Sequence, residues 1–331
     1  MDWKELEAAL KAASGRGVAV RALIAHTNRG GDVKLRALET RFLEAGITVG
    51  RTADDLVRYH GKMMLIDQQT LFLLSFNYVH LDIDHSRGFG IITRSAAMVR
   101  EALKLFEADL NRQPYSSGLD ALVVSPANAR KQLSAFIRGA KKELLIYDPQ
   151  IADKEILQLL EGRAKAGVAV RIIGSTTARG GNLAVATLSA MRLHTRTIVR
   201  DRSQAFVGSQ SLRQLELDRR REIGLMIRDA KVVKSLCATF EKDWTSTGFD
   251  ETRNAAQTTP HETIAAATQA LVDEMPTLQI TLRKAIKQAA KRAGKTAVVN
   301  GELKSTVKDA VRQAVRDAVR EIAEDENGAQ T

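Results

Sequence analysis

Two stretches of this chain repeat each other at a constant separation of 134 residues. His60-Gly61-Lys62-Met63-Met64-Leu65-Ile66-Asp67 returns as His194-Thr195-Arg196-Thr197-Ile198-Val199-Arg200-Asp201. The same separation carries Ser75 onto Ser209, Asn77 onto Ser211 and Phe89-Gly90-Ile91 onto Ile223-Gly224-Leu225. It ends with Phe106-Glu107-Ala108-Asp109 on Phe240-Glu241-Lys242-Asp243. Upstream, Gly17-Val18-Ala19-Val20-Arg21 matches Gly167-Val168-Ala169-Val170-Arg171 at 150 residues, so the first copy holds 16 extra residues between the two blocks. A duplicated block constrains the fold more than any local propensity. Each copy builds the same kind of unit, and a pseudo-twofold axis brings their matching side chains to one centre.

Each copy alternates helix and strand. Ala152 to Gly167 reads as a helix from its apolar spacing (Ile156, Leu159, Leu160, Ala164), closed by glycine. Val168 to Ile173 reads as a buried strand, and Thr197–Val199 and Ala205–Val207 as short strands about a turn at Asp201-Arg202-Ser203. Ile223–Ile227 reads as a further strand and Ala230–Trp244 as a further helix. The expected class is α/β. Copy two also has a leading strand, Glu143 to Asp148, that copy one lacks, so the first sheet is expected one strand short or the start truncated or misassigned. The expected division is a first domain over 1–115, a second over 116–249, then a linker and basic helical tail over 250–331.

The repeated block carries chemistry. Alternation sets His60 and Lys62 on one face of a strand, so imidazole and cation share a pocket. A phosphodiester resists attack until its negative charge is screened. Lys62, Arg196, Asn77 and the hydroxyls of Ser75, Ser209 and Ser211 suit that task. One histidine can attack phosphorus through a neutral ring nitrogen, while the other protonates the leaving oxygen and then activates water or an alcohol.

Paired His-x-Lys-x4-Asp blocks resemble those of the phospholipase D superfamily, over nearly all of residues 1–249. The likeness is to bacterial phospholipase D-like proteins of the cardiolipin-synthase and nuclease type. Phe206-Val207-Gly208-Ser209-Gln210-Ser211 and Arg221-Glu222-Ile223-Gly224 look like that family's second-copy Gly-Ser-x-Asn and acidic motifs. The resemblance implies two phospholipase D-like α/β domains about a pseudo-twofold axis. It implies hydrolysis or phosphatidyl transfer through a phosphohistidine, on phospholipid or nucleic acid, with no metal or other cofactor. Its catalytic set maps to His60, Lys62, Asp67, His194, Arg196, Asp201 and Glu222, and its phosphate contacts to Ser75, Asn77, Ser209 and Ser211. Three positions depart: Arg196 replaces Lys, Ser211 replaces Asn, and Gly88 stands where copy two has Glu222. Glu222 is then expected to orient His194 and raise its pKa, leaving His60 unpartnered, with Asp82 or Asp84 as a substitute carboxylate. On that reasoning His60 is the nucleophile and His194 the proton donor. The competing reading is a degenerate site that binds anionic phosphate polymers or membrane surfaces.

The remaining features narrow the class. Charge sums to +11, which favours anionic partners, and aromatics at 5% argue against an extended base-stacking platform. No apolar run approaches the ~18 residues of a membrane span, and Met1-Asp2-Trp3-Lys4-Glu5 does not open a signal peptide. The single cysteine, Cys237, excludes an internal disulfide framework and fits a reducing compartment, and the expected setting is cytoplasmic, with peripheral membrane contact as an option. His80, Asp82, Asp84 and His85 form the one metal-like cluster, read as a solvated loop or pocket rim. His26 and His261 read as structural or exposed, and Gly30-Gly31 and Gly180-Gly181 as turns. Residues 281–320 hold 11 Lys+Arg against 3 Asp+Glu, a net of +8. The tail over 281–322 reads as a helix for membrane-surface contact, nucleic-acid binding or self-association.

Overall fold

A computed structural model describes residues 4–26, 32–178 and 183–249. The two glycine pairs, His261 and the basic tail lie outside the described residues. Both copies fall in one compact unit, Met1–Thr258, so the repeat boundary near residue 115 does not separate compact bodies.

Copy one runs α1 (Lys4–Gly15), β1 (Arg21–Ile24), α2 (Asp32–Glu44), β2 (Thr48–Arg51), β3 (Arg58–Tyr59), β4 (Met63–Ile66), β5 (Thr70–Leu74), α3 (His80–Asp84), β6 (Ser86–Arg87), β7 (Gly90–Thr93) and α4 (Ala96–Leu110). Copy two runs β8 (Leu122–Val124), α5 (Ala129–Arg138), β9 (Glu143–Ile151), α6 (Lys154–Lys165), β10 (Ala169–Thr176), β11 (Ala184–Ala186), β12 (Arg192–Leu193), β13 (Arg196–Arg200), β14 (Gln204–Gly208), α7 (Gln214–Asp218), β15 (Arg220–Arg221), β16 (Ile223–Ile227) and α8 (Ala230–Ser246).

Local chemistry sets these bounds. The Asp153 carboxylate accepts from the Ile156 amide at 3.0 Å and starts α6, and Asp229 does the same for α8 from Lys231 and Val232. Gly17 and Gly167 follow α1 and α6 with φ of 86° and 85°, the left-handed turn that lets the chain enter β1 and β10. Both hairpins turn through two successive left-handed residues, Asp67-Gln68 and Asp201-Arg202.

Copy two closes a seven-stranded sheet in the order β11-β10-β9-β13-β14-β16-β8. Strand β9 is interior to it, parallel to β10 and antiparallel to β13. Copy one has no counterpart of β9 among the described residues, as the sequence indicates. Its sheet therefore stays in two pieces, β1-β2 and β4-β5-β7. Its core divides with it: Ile24, Leu35, Leu38, Phe42 and Ile47 form a small cluster apart from the rest. Leu71, Leu73 and Leu105 of copy one instead share a core with Leu145, Val199 and Phe240 of copy two. Apolar burial across this boundary welds the copies together.

Two short parallel pairings stitch the copies in pseudo-symmetric fashion. β3 pairs with β15, Arg58 opposite Arg220 and Tyr59 opposite Arg221. β12 pairs with β6, Arg192 opposite Ser86 and Leu193 opposite Arg87. Two ion pairs repeat the symmetry: Arg87 holds Asp243 at 2.6 Å, and Arg221 holds Asp109 at 2.9 Å.

Candidate active site

The stitching pairs decide which acid meets which histidine. Since β15 lies in register with β3, the residue after each strand falls side by side: Glu222 beside His60. The His60 Nδ1–Glu222 Oε2 distance is 2.9 Å, with the carboxylate fully buried. By the same register His194 lies beside Gly88. The expectation that Glu222 orients His194 is therefore corrected: the acid reaches across the pseudo-axis, and it is His194 that lacks an acid there. The second carboxylate comes from Asp82, whose Oδ2 is 3.4 Å from His194 Nε2. Asp84 instead pairs with exposed His80.

The histidines are held differently. An ionised Glu222 takes the Nδ1–H of His60, leaving the Nε2 lone pair available. His194 turns Nε2 toward Asp82, outside good hydrogen-bond geometry. Burial, with Lys62, Arg58 and Arg196 nearby, pushes His60 well below the usual imidazole range. Burial and Arg196 push His194 down likewise, against the pull of Asp82. Both shifts favour the neutral ring.

Lys62 sits 7% exposed between these groups, and its Nζ has no hydrogen-bond partner. Burial lowers its pKa to about 7, offset in part by Glu222. Burial raises Glu222 to about 7, with Glu216 adding to the effect. An unpartnered buried ammonium is costly and calls for an anion. His60 and Lys62 lie between β3 and β4 rather than on a strand, held by the His60 amide donating to the Arg221 carbonyl at 2.8 Å and the Lys62 carbonyl accepting from the Leu74 amide at 2.9 Å. Arg196 is in β13. Its Nη1 donates to the His194 carbonyl at 2.6 Å and its Nε to Ser211 Oγ at 3.1 Å.

Several expected site residues do other work. The Asp201 carboxylate accepts from the backbone amides of Lys141, Lys142 and Glu143, Lys142 nearest at 2.7 Å, and so secures the chain entering β9. It is a structural residue, not part of the catalytic group. Its match Asp67 is exposed at the β4–β5 turn, outside the site as well. Ser75 and Ser209 accept the amides of Phe89 and Ile223 at 2.9 and 3.1 Å and tie adjacent strands together. Asn77 donates through its backbone N–H and Nδ2 to Asp82.

The metal-like cluster after Asn77 is a short helix, α3, rather than a loop, and no group of metal-ligating side chains occurs among the described residues. Two carboxylates outside the repeated motif hold the site's frame: Asp82, already a candidate from the sequence, and Glu216, which the motif spacing passed over. Asp82 binds Asn77 and Arg192, and its repeat partner Glu216 binds the Ser211 amide, Arg213 and Arg220. Burial resists ionisation of Glu216, but Arg196, Arg213 and Arg220 outweigh it and hold the carboxyl far below its usual range. The 134-residue separation relates Asp82 to Glu216, so the repeat itself held the signal.

The model of the family described as cardiolipin synthase, phospholipase D-like domain, matches residues 2–110 and 133–244, one segment per copy. No curated protein sequence matches the chain. Among solved structures, a polyphosphate kinase from Porphyromonas gingivalis aligns with a TM-score of 0.59 at 19% identity, over 71% of this chain and 40% of that one. The chain thus spans well under half of the kinase's length. A phosphatidylserine synthase from Haemophilus influenzae Rd KW20 aligns with a TM-score of 0.55 at 12% identity, over 81% of this chain and 84% of that one. At these identities the two likenesses speak to the fold, and the family match to descent: the chain belongs to the phospholipase D-like family of the cardiolipin-synthase type.

Proposed function

We propose that this chain cleaves or transfers phosphodiesters through a phosphohistidine formed on His60. The observation that carries the reading is the His60 Nδ1–Glu222 contact at 2.9 Å beside the unpartnered ammonium of Lys62. It supports the nucleophile assignment for a reason opposite to the sequence argument: His60 is the partnered histidine. Glu222 fixes the tautomer, and Nε2 forms a bond to phosphorus as the bond to the leaving oxygen breaks. Lys62 and Arg196 offset charge on the non-bridging oxygens. His194 delivers a proton to the leaving oxygen. A bound phosphodiester brings the negative charge that Arg196 and Lys62 otherwise deny His194, so substrate itself raises the proton affinity of this ring. In the second step His194 takes a proton from water or an alcohol, which attacks phosphorus and releases His60. Family membership supports phosphoryl transfer in general. The substrate, lipid or nucleic acid, shares the phosphate chemistry and is set by what surrounds it.

A binding-only reading draws on one observation: Gly88 leaves His194 without an Nδ1 carboxylate. An activated substrate, bis(p-nitrophenyl) phosphate, separates the two because its leaving group needs no acid. Acid-quenched wild type and His194→Ala should both carry a phospho-adduct, long-lived in the variant, and His60→Ala none. An adduct that survives His60→Ala moves the nucleophile elsewhere. Folded wild type without adduct or turnover supports binding alone. Parallel assays on phosphatidylglycerol vesicles and single-stranded DNA then assign the substrate class.

A further inference from the structure

His60 and His194 are repeat partners, yet their rings meet carboxylates through different nitrogens. Glu222 Oε2 lies 2.9 Å from Nδ1 of His60. Asp82 Oδ2 lies 3.4 Å from Nε2 of His194, and that nitrogen is buried with no hydrogen bond. A ring that turns Nε2 inward has only Nδ1 to offer a substrate. The seat that Glu222 takes beside His60 has no open equivalent beside His194. Gly88 is the match of Glu222, and a Cβ there would fall 2.7 Å from Cδ1 and 3.2 Å from Cβ of Phe76. Asp82, by contrast, is fixed where it stands. It is 2% exposed, and its Oδ2 accepts from the Asn77 backbone N–H at 2.9 Å and from Asn77 Nδ2 at 2.6 Å. Its Oδ1 accepts from Arg192. Burial opposes ionisation of Asp82, but the Asn77 donors and the charges of His194 and Arg192 outweigh it and hold the carboxyl below its usual range. The matching carboxylate, Glu216, is one methylene longer and binds the Ser211 amide, Arg213 and Arg220 instead of a histidine.

We propose that Asp82 is the positioning residue of His194, holding Nε2–H so that this ring gives and takes its proton through Nδ1. The inference rests on the phosphohistidine chemistry proposed above. With substrate bound, His194 carries both protons. Its Nδ1 proton passes to the leaving oxygen as that oxygen's bond to phosphorus breaks and the His60 Nε2 bond to phosphorus forms. Nε2–H stays turned to Asp82. In the second step the bare Nδ1 takes a proton from water or an alcohol, whose oxygen attacks phosphorus and releases His60 Nε2. At 3.4 Å a charged ring and a carboxylate attract, so Asp82 stabilises the imidazolium that donates. The two histidines thus work through opposite ring nitrogens, each with its own acid, and the departure at Gly88 divides the labour rather than disabling copy two.

Two measurements on the full chain test this. Long-range proton–nitrogen spectra, with His194 assigned by its loss in His194→Ala, should show the neutral ring protonated on Nε2 and bare at Nδ1. Single-turnover adduct formation is then compared for bis(p-nitrophenyl) phosphate and diphenyl phosphate. p-Nitrophenolate leaves without an acid, whereas the more basic phenolate needs one. The ratio of the first rate to the second should rise about tenfold in Asp82→Asn. In a His194→Ala background Asp82→Asn should leave the ratio where His194→Ala alone puts it, because a residue acting through His194 has nothing left to act on. A merely structural loss would slow both esters alike and add to His194→Ala. Absence of adduct from wild type with both esters overturns the phosphohistidine reading and this proposal with it. Adduct formation together with a neutral His194 protonated on Nδ1, an unchanged ratio in Asp82→Asn, or a further rise in the double variant overturns this proposal alone.

Discussion

Replacing Glu222 by glutamine tests the crossed pairing most directly. The side chain keeps its volume in a fully buried position, and the ion is lost. An amide can donate to Nδ1 as readily as accept from it. The imidazole then carries its proton on Nε2, the atom that must attack phosphorus. Loss of a charge-assisted hydrogen bond costs ~1.5–3 kcal/mol, or about 10–150-fold in rate where the bond is expressed in the transition state. The pH profile carries a second signature. In wild type kcat/KM should rise as Glu222, near pKa 7, gives up its proton and becomes able to hold Nδ1–H. It should fall as Lys62, also near 7, loses its charge. The two groups interact, so the limbs report the pair, and a narrow bell centred near neutrality results. In Glu222→Gln the acid limb should vanish and the alkaline limb persist. Single-turnover cleavage of bis(p-nitrophenyl) phosphate across pH, at equal folded concentration, measures both. A variant with wild-type rate and an intact acid limb would refute the proposed role of Glu222 toward His60.

Lys62→Arg should abolish the alkaline limb, because a guanidinium stays charged throughout, and a limb that persists would assign it to another group. Arg196→Lys should retain activity while Arg196→Ala loses about 10–150-fold, since the cation anchors the His194 carbonyl and is the proposed partner of a phosphate oxygen. Equal single-turnover rates for Arg196→Ala and wild type would mean copy two contributes no cation. Asp201→Asn should lower unfolding free energy by about 1–2 kcal/mol, and Asp67→Asn by no more than about 0.5 kcal/mol, because only Asp201 gathers backbone amides. Burial opposes ionisation of Asp201, yet those amides hold its pKa below the usual value, so its contribution is full at neutral pH and fades as acid protonates the folded carboxyl. Urea titrations of both variants at pH 7 and pH 3 check this, and equal losses at the two positions would contradict it.

The sequence by itself determined the duplication, the α/β alternation, and the two histidines with their cations. Those features are local or periodic, and a constant separation of 134 residues exposes them without coordinates. It also pointed to Gly88 as the lost acid. What it could not say was whose acid was lost. Spacing along a chain ranks residues within a copy, and a carboxylate 28 residues after its own histidine looks like that histidine's partner. Tertiary structure reverses this, because β3 pairs with β15 and β6 with β12 across the pseudo-axis, and register sets Glu222 against His60. The same limit hid Asp201, whose motif position reads as catalytic until the amides of a strand 58 to 60 residues earlier fold onto it. Which groups meet across an axis depends on strand register and buried contacts between distant segments, and no pattern confined to one copy encodes them.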